Sequence, residues 1–137
     1  MVRSLLEPSR MPEINAPAIV AEIGALHDNY ERALIANDIP VLNASFWGSP
    51  YTVRYGVHEH LYGAEAVAAY RQGNTPVFAE RKIVRRAILT LGCDIASIMC
   101  ELSQKVLGHP RHSRQSQLWV RFPEHGWKIV SAHVSFI

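Results

Sequence analysis

The hydrophobic period of this 137-residue chain changes once, and that change limits the folds open to it. Up to Gly73 apolar residues recur every three or four positions. Beyond Thr75-Pro76 they fall into four runs rich in Val, Ile, Thr and aromatics: Lys82 to Leu91, Ile95 to Val106, Arg114 to Phe122 and Trp127 to Ile137. Gly92-Cys93-Asp94, Gly108-His109-Pro110 and Pro123-Glu124-His125-Gly126 separate the runs as turns. Helices followed by an antiparallel meander make an α+β fold, with helices packed on one face of a curved sheet. A single domain accounts for the length.

The first helix is expected from about Ala16 to about Asn37, with Asn15 as N-cap and Pro17 in the first turn, where its missing N–H costs nothing. Ile19, Ile23, Leu26, Tyr30, Ala33 and Leu34 fall on one face. A buried tyrosine needs a partner for its hydroxyl, so Tyr30 is either a satisfied core residue or a pocket acid or donor. A short second helix is expected over about Val41 to Phe46. A third covers Ala64 to Arg71 and stops at Gln72-Gly73.

Between these helices, Phe46 to Gly63 concentrates aromatics, a Gly48-Ser49-Pro50 turn, Arg54 and two histidines, a density that suggests the wall of a pocket. Thr52-Val53-Arg54-Tyr55 reads as a short strand, whose alternation sends Arg54 to the face opposite Val53 and Tyr55. A guanidinium there needs an anion. It is either a substrate carboxylate held bidentately or an internal partner, Glu59 or Glu65. An extended His58-Glu59-His60 would put both imidazoles on one side, but no third ligand lies at a telling distance, so no metal is expected.

The last hairpin predicts a register. With Pro123 to Gly126 as the loop, Phe122 faces Trp127 and the pairs continue through Val120 with Ile129, Leu118 with Ser131, Ser116 with His133 and Arg114 with Ser135. That face runs from greasy to polar, as the wall of a small-molecule cavity does. His133 is then either a core histidine bonded to Ser116 or part of a site that joins Tyr30, Arg54 and the Ser116/His133 pair.

Composition narrows the function classes. A net charge of +2, with 48% apolar and 19% charged residues, gives no nucleic-acid footprint. No apolar run is long enough to span a membrane. Cys93 and Cys100 read as small core residues of a reducing, cytoplasmic compartment. Arg81, Lys82, Arg85 and Arg86 read as a solvated strand edge, and His109, His112 and His125 as exposed loop residues. Residues 1–12 are expected to be a loose extension, with the domain over 13–137. Nucleophile-elbow, phosphate-loop and zinc patterns are absent.

The runs Tyr30-Glu31-Arg32-Ala33-Leu34, Phe46-Trp47-Gly48-Ser49-Pro50 with Arg54 and Gly56, Tyr70-Arg71, Arg114-Gln115-Ser116-Gln117 with Trp119, and Trp127 through Ser135 resemble, in that order, the AtzH-like (HpxZ-like) family of the SnoaL-like, nuclear transport factor 2-like superfamily. The resemblance covers about residues 13 to 137. It implies a cone of curved antiparallel sheet and three helices, a homodimer through the sheet, and a pocket at the cone's mouth. It also implies a small anionic ureido substrate in cyanuric acid or oxalurate catabolism. In the similar AtzH branch the activity is decarboxylation of 1,3-dicarboxyurea to allophanate without a cofactor. Tyr30 and Arg54 match functional positions of that branch. Arg54 would clamp a carboxylate, with Arg71 or Arg114 as a second contact. Tyr30 or His133 would be the general acid, Trp47 part of an apolar floor, and Ser116 a substrate contact. The chain departs from many relatives at Asn74, where they have a second Arg, and at His27, where they have an aromatic.

Overall fold

Helix α1 (Pro17–Ala36) begins without a side-chain cap and ends where Asn37 turns left-handed, its N–H reaching the carbonyl of Leu34. The side chain of Asn15 does not cap it. Asn15 adopts φ 54 and accepts a hydrogen bond from the Thr90 N–H at 2.8 Å, so it fastens the incoming chain to the sheet. Helix α2 (Ile39–Ser45) is capped by Asp38, and α3 spans Ala64–Gly73. The computed structural model describes residues 11–74 and 79–137. The crossing expected at Thr75-Pro76 and residues 1–10 of the expected extension lie outside them.

Six strands follow the order β2-β1-β6-β5-β4-β3. They are β1 (Val53–Tyr55), β2 (His60–Tyr62), β3 (Ala79–Leu91), β4 (Ile95–Val106), β5 (His109–Phe122) and β6 (Gly126–Phe136). All neighbours are antiparallel except β1 and β6, which run parallel with Tyr55 beside His133. Strand β5 starts earlier than Arg114 because Leu107 and Gly108, at φ 51 and 80, close the β4–β5 hairpin in two residues. His109 and His112 therefore lie on a strand, though both are exposed.

Strict alternation on β4 and β5 decides which face is covered. Ala96, Ile98, Cys100, Leu102 and Gln104 on β4 are buried, as are Ser113, Gln115, Gln117 and Trp119 on β5. They meet Ile23, Tyr30, Ala33 and Leu34 of α1, Leu42 of α2 and Val67 of α3. His27 sits in the same interior with no exposed surface, in the stripe that Ile23 and Tyr30 define.

Two bulges correct the expected faces. Phe122 pairs with Gly126 and Trp119 with Ile129, one step away from the expected register; the next pair is Leu118 with Ser131, as predicted, because Val130 is the extra residue. Inward residues on β6 thus switch from Trp127 and Ile129 to Ala132 and Val134. Leu118, Ser116 and Arg114, with Ser131, His133 and Ser135, form the outer face and not the cavity wall. On β3 a register shift between Ala79 and Lys82, with Glu80 at φ 55, redirects Arg81. Its side chain keeps 4% exposure and forks onto Glu31, so it is no part of a solvated edge. Cys100 is a buried core residue as expected, whereas Cys93 is exposed in the β3–β4 turn.

Candidate functional site

A cavity of about 440 Å³ opens between the sheet's concave face and the helices. Its apolar walls include Leu34, Val57, Val106, Val134 and Phe136, and its polar groups come from four directions: Tyr30 on α1, Arg54 on β1, Tyr70 and Arg71 on α3, Gln115 on β5. This is a small-molecule volume.

Tyr30 is 1% exposed and its hydroxyl oxygen accepts the Arg71 Nη2–H at 2.9 Å. With one lone pair taken by a cation, the phenol's own proton is left to point elsewhere. Arg71, 7% exposed, also lies over the Phe46 ring at 5.7 Å. Among the described residues no carboxylate pairs with it, and its buried Nε has no hydrogen-bond partner. Arg81 and Glu31 close the wall behind them: Nε and Nη2 of Arg81 donate to the two carboxylate oxygens at 3.2 and 3.1 Å, and Nη1 donates to Gln104 Oε1 at 2.9 Å.

Across the cavity, Arg54 takes the internal option left open by its spacing, donating from Nη1 to Glu59 Oε1 at 2.8 Å. Burial pushes the Glu59 carboxyl up, but the Arg54 hydrogen bond and charge outweigh it and hold the group below the usual range. Gly56 makes this pair possible, because a Cβ there would overlap the Glu59 carboxylate. Arg54 also lies 5.8 Å from the centre of the Tyr70 ring. Burial, with Glu59 close by, raises the Tyr70 phenol above its ordinary value and keeps it protonated.

Of the residues singled out from sequence, Tyr30, Arg54 and Arg71 converge on this cavity. His133, Ser116 and Arg114 do not. They line a separate depression of about 340 Å³ on the outer face of the sheet, where His133 packs against Tyr55 at 5.9 Å between ring centres. Arg114 and Ser116 face outward by the alternation that buries Ser113, Gln115 and Gln117, and the bulge at Val130 turns His133 outward with them. Trp47 stacks on Phe122 at 4.9 Å, away from the cavity lining. The backbone turns at Gly56 to Glu59, so His58-Glu59-His60 is not extended: His58 lines the cavity, while His60 packs on Tyr55. Two carboxylates lie inward, Glu59 at the cavity lining and Glu31 paired with Arg81. Gln104 and Gln115 were missed. Their signal was inward parity beside Cys100 and Leu102, legible only once the bulges are known.

Similarity to known proteins agrees with this architecture. A cystatin-like fold protein from Burkholderia xenovorans is 46% identical over 92% of this chain and 97% of its own, with a TM-score of 0.86. A DUF3225-family protein of unknown function from Pectobacterium atrosepticum is 38% identical over 90% of this chain and 94% of its own, with a TM-score of 0.84. A nuclear transport factor 2-like protein from Salmonella enterica, 24% identical over 87% of this chain and 91% of its own, shares the fold with a TM-score of 0.71. Among curated proteins none matches significantly. The AtzH-like family model matches residues 12–137, and the chain belongs to the AtzH-like family.

Proposed function

We propose that the protein is a cofactor-free decarboxylase of a small ureido dicarboxylate, converting 1,3-dicarboxyurea to allophanate. The observation that carries this reading is the convergence of Arg54, Arg71 and the Tyr30 hydroxyl on one largely apolar cavity. Arg54 holds the carboxylate that is retained. At the other end the carbon–nitrogen bond breaks, its electron pair passes to nitrogen, nitrogen takes the Tyr30 proton, and the carboxylate leaves as neutral carbon dioxide. Arg71, already donating to the phenol oxygen, stabilises the charge left there. Water then restores the proton. The apolar walls favour loss of a neutral product over a solvated carboxylate.

An isomerase or dehydratase of the same fold needs a carboxylate base. Glu59 is the one that lines the cavity, and its ion pair with Arg54 occupies it and lowers its pKa, which weakens it as a base. A second reading, a non-catalytic binding protein for a monoanionic ureido acid, is favoured by one fact: Arg54 is engaged by Glu59, which leaves Arg71 as the cavity guanidinium with no carboxylate partner among the described residues. We further propose a homodimer through the outer face of the sheet, where Leu89, Met99 and Leu118 are exposed. Arg114, Ser116 and His133 then belong to that contact. No helix among the described residues is long and apolar enough to cross a membrane.

Carbon dioxide release from 1,3-dicarboxyurea, generated in the assay and corrected for spontaneous loss, separates the two readings. The decarboxylase accelerates release, and Arg54→Ala lowers kcat/KM at least tenfold, the size of one charge-assisted contact. Release at the background rate in the presence of the wild-type protein favours the binding protein.

A further inference from the structure

The proposed chemistry uses the two carboxylates and one nitrogen of the substrate, and leaves one buried group at the cavity without a task. Gln115 lies on the concave face of β5, between Cys100 on β4 and Val134 on β6. It is 9% exposed, and Oε1 of its carboxamide is buried with no hydrogen-bond partner. A neutral amide oxygen left unpaired in a protein interior destabilises the fold. Its register partners Cys100 and Val134 are apolar or weakly polar, and a leucine has nearly the same shape.

The nearby glutamines behave differently. Gln104 Oε1 accepts from Arg81, and Gln117 Oε1 accepts from the Trp119 indole N–H at 2.9 Å. Gln115 is the one of the three whose carbonyl oxygen has no donor, whereas the unpartnered atom of Gln117 is its Nε2 donor. Gln115 shares the cavity with Arg71, whose buried Nε is a donor with no acceptor. Both residues line one cavity, and although neither orphan atom is itself exposed to it, turning either side-chain terminus would present an acceptor and a cationic donor to a molecule that offers an N–H and an anionic oxygen together. A saturated dicarboxylate or a keto acid offers only the second.

We propose that Gln115 is the specificity-determining residue of this site, and that its carboxamide accepts an N–H of the urea core while Arg71 takes the ligand's carboxylate. The inference rests on the ureido-acid reading of the cavity, and it selects ureido acids against the corresponding keto acids, in which CH₂ or CH₃ replaces N–H. Replacing that donor leaves the Gln115 oxygen unpaired in the complex, which is how polar sites reject analogues that lack a hydrogen-bonding group.

Two stable monoanions of equal size test it directly, hydantoate and levulinate; levulinate is hydantoate with both nitrogens replaced by carbon. Titration calorimetry on the wild-type protein is expected to show hydantoate binding at least tenfold more tightly than levulinate. In Gln115→Leu the preference is expected to collapse through weaker hydantoate binding, with levulinate affinity unchanged and the unfolding temperature unchanged or higher, because an orphan acceptor has been removed. Equal binding of the two ligands by the wild type, no binding of either, or a Gln115→Leu variant that loses both alike overturns the proposal. The wild-type comparison stands even if the variant does not fold. Because binding is read without turnover, a protein that prefers hydantoate yet releases no carbon dioxide keeps this inference and loses the decarboxylase. One that decarboxylates but binds both ligands equally does the reverse.

Discussion

Tyr30→Phe is expected to lower kcat for carbon dioxide release by about a hundred- to ten-thousand-fold, the usual contribution of a positioned general acid, while KM changes little. The change removes one oxygen from a 1%-exposed side chain and leaves its ring packed edge-on against Phe46 at 6.3 Å. The substrate's carboxylates still meet Arg54 and Arg71, so binding persists. What is lost is the proton that nitrogen must gain as carbon dioxide departs. The variant also strips the Arg71 Nη2–H of its acceptor, at a cost of about 1–2 kcal/mol in stability, so activity is compared below the unfolding transition. Steady-state kinetics on substrate generated in the assay check it: a Tyr30→Phe enzyme with wild-type kcat would assign the proton to another donor.

The second large effect concerns stability in acid. His27 has no exposed surface. Burial, reinforced by the Arg86 guanidinium against a smaller opposing effect of Asp28, pulls its pKa down to about 4 from 6.5. Arg86 from β3 reaches both groups, with Nη1 at 3.1 Å from His27 Nδ1 and 2.6 Å from Asp28 Oδ1. On the other side Cys100 Sγ lies 4.0 Å from Nε2. Burial pushes that thiol up to about 11, so it stays neutral. Between pH 6.5 and pH 4 the unfolded chain binds a proton that the folded chain refuses. Stability therefore falls across that window, by about 2 kcal/mol at pH 5 and about 3 kcal/mol at pH 4, relative to neutral pH. His27→Phe keeps an aromatic ring at this position and leaves Arg86 its Asp28 partner. Urea unfolding at pH 7.5 and pH 5 should show a pH dependence about 2 kcal/mol smaller in the variant. Identical losses in both proteins would mean that His27 charges readily in the folded state.

Much of the fold was legible because each local signal pointed the same way. The change of period after Gly73, the turn residues and the α1 stripe gave the α+β order and the strand runs. Alternation around Arg54 correctly opposed it to Tyr55, and the orphan hydroxyl of Tyr30 correctly pointed to a buried partner. The rest turned on single inserted residues. Val130 shifts the parity of β6 by one, so Ser116 and His133 stay partners, as expected, but on the outer face. A sequence marks no bulge here, since Val130 has the β-branched chemistry of any strand residue. The β3 irregularity beside Glu80 likewise carries Arg81 from an apparent solvated edge to Glu31, fifty residues away. Asn15 was read as a helix cap because the residue type suits both a cap and the left-handed turn it makes beside Thr90.

In the proposed decarboxylase, catalysis belongs to the concave cavity of Tyr30 and Arg71 and not to the outer face of Arg114, Ser116 and His133. The most direct measurement is kcat/KM for carbon dioxide release by Arg71→Ala beside His133→Ala. Arg71→Ala should fall at least a hundredfold, through loss of a buried charge-assisted contact and of the group that stabilises the Tyr30 oxygen, while His133→Ala stays within about twofold of wild type, as expected for an exposed residue remote from the reaction. Full activity in Arg71→Ala together with an inactive His133→Ala would contradict the account and move the site to the outer face of the sheet.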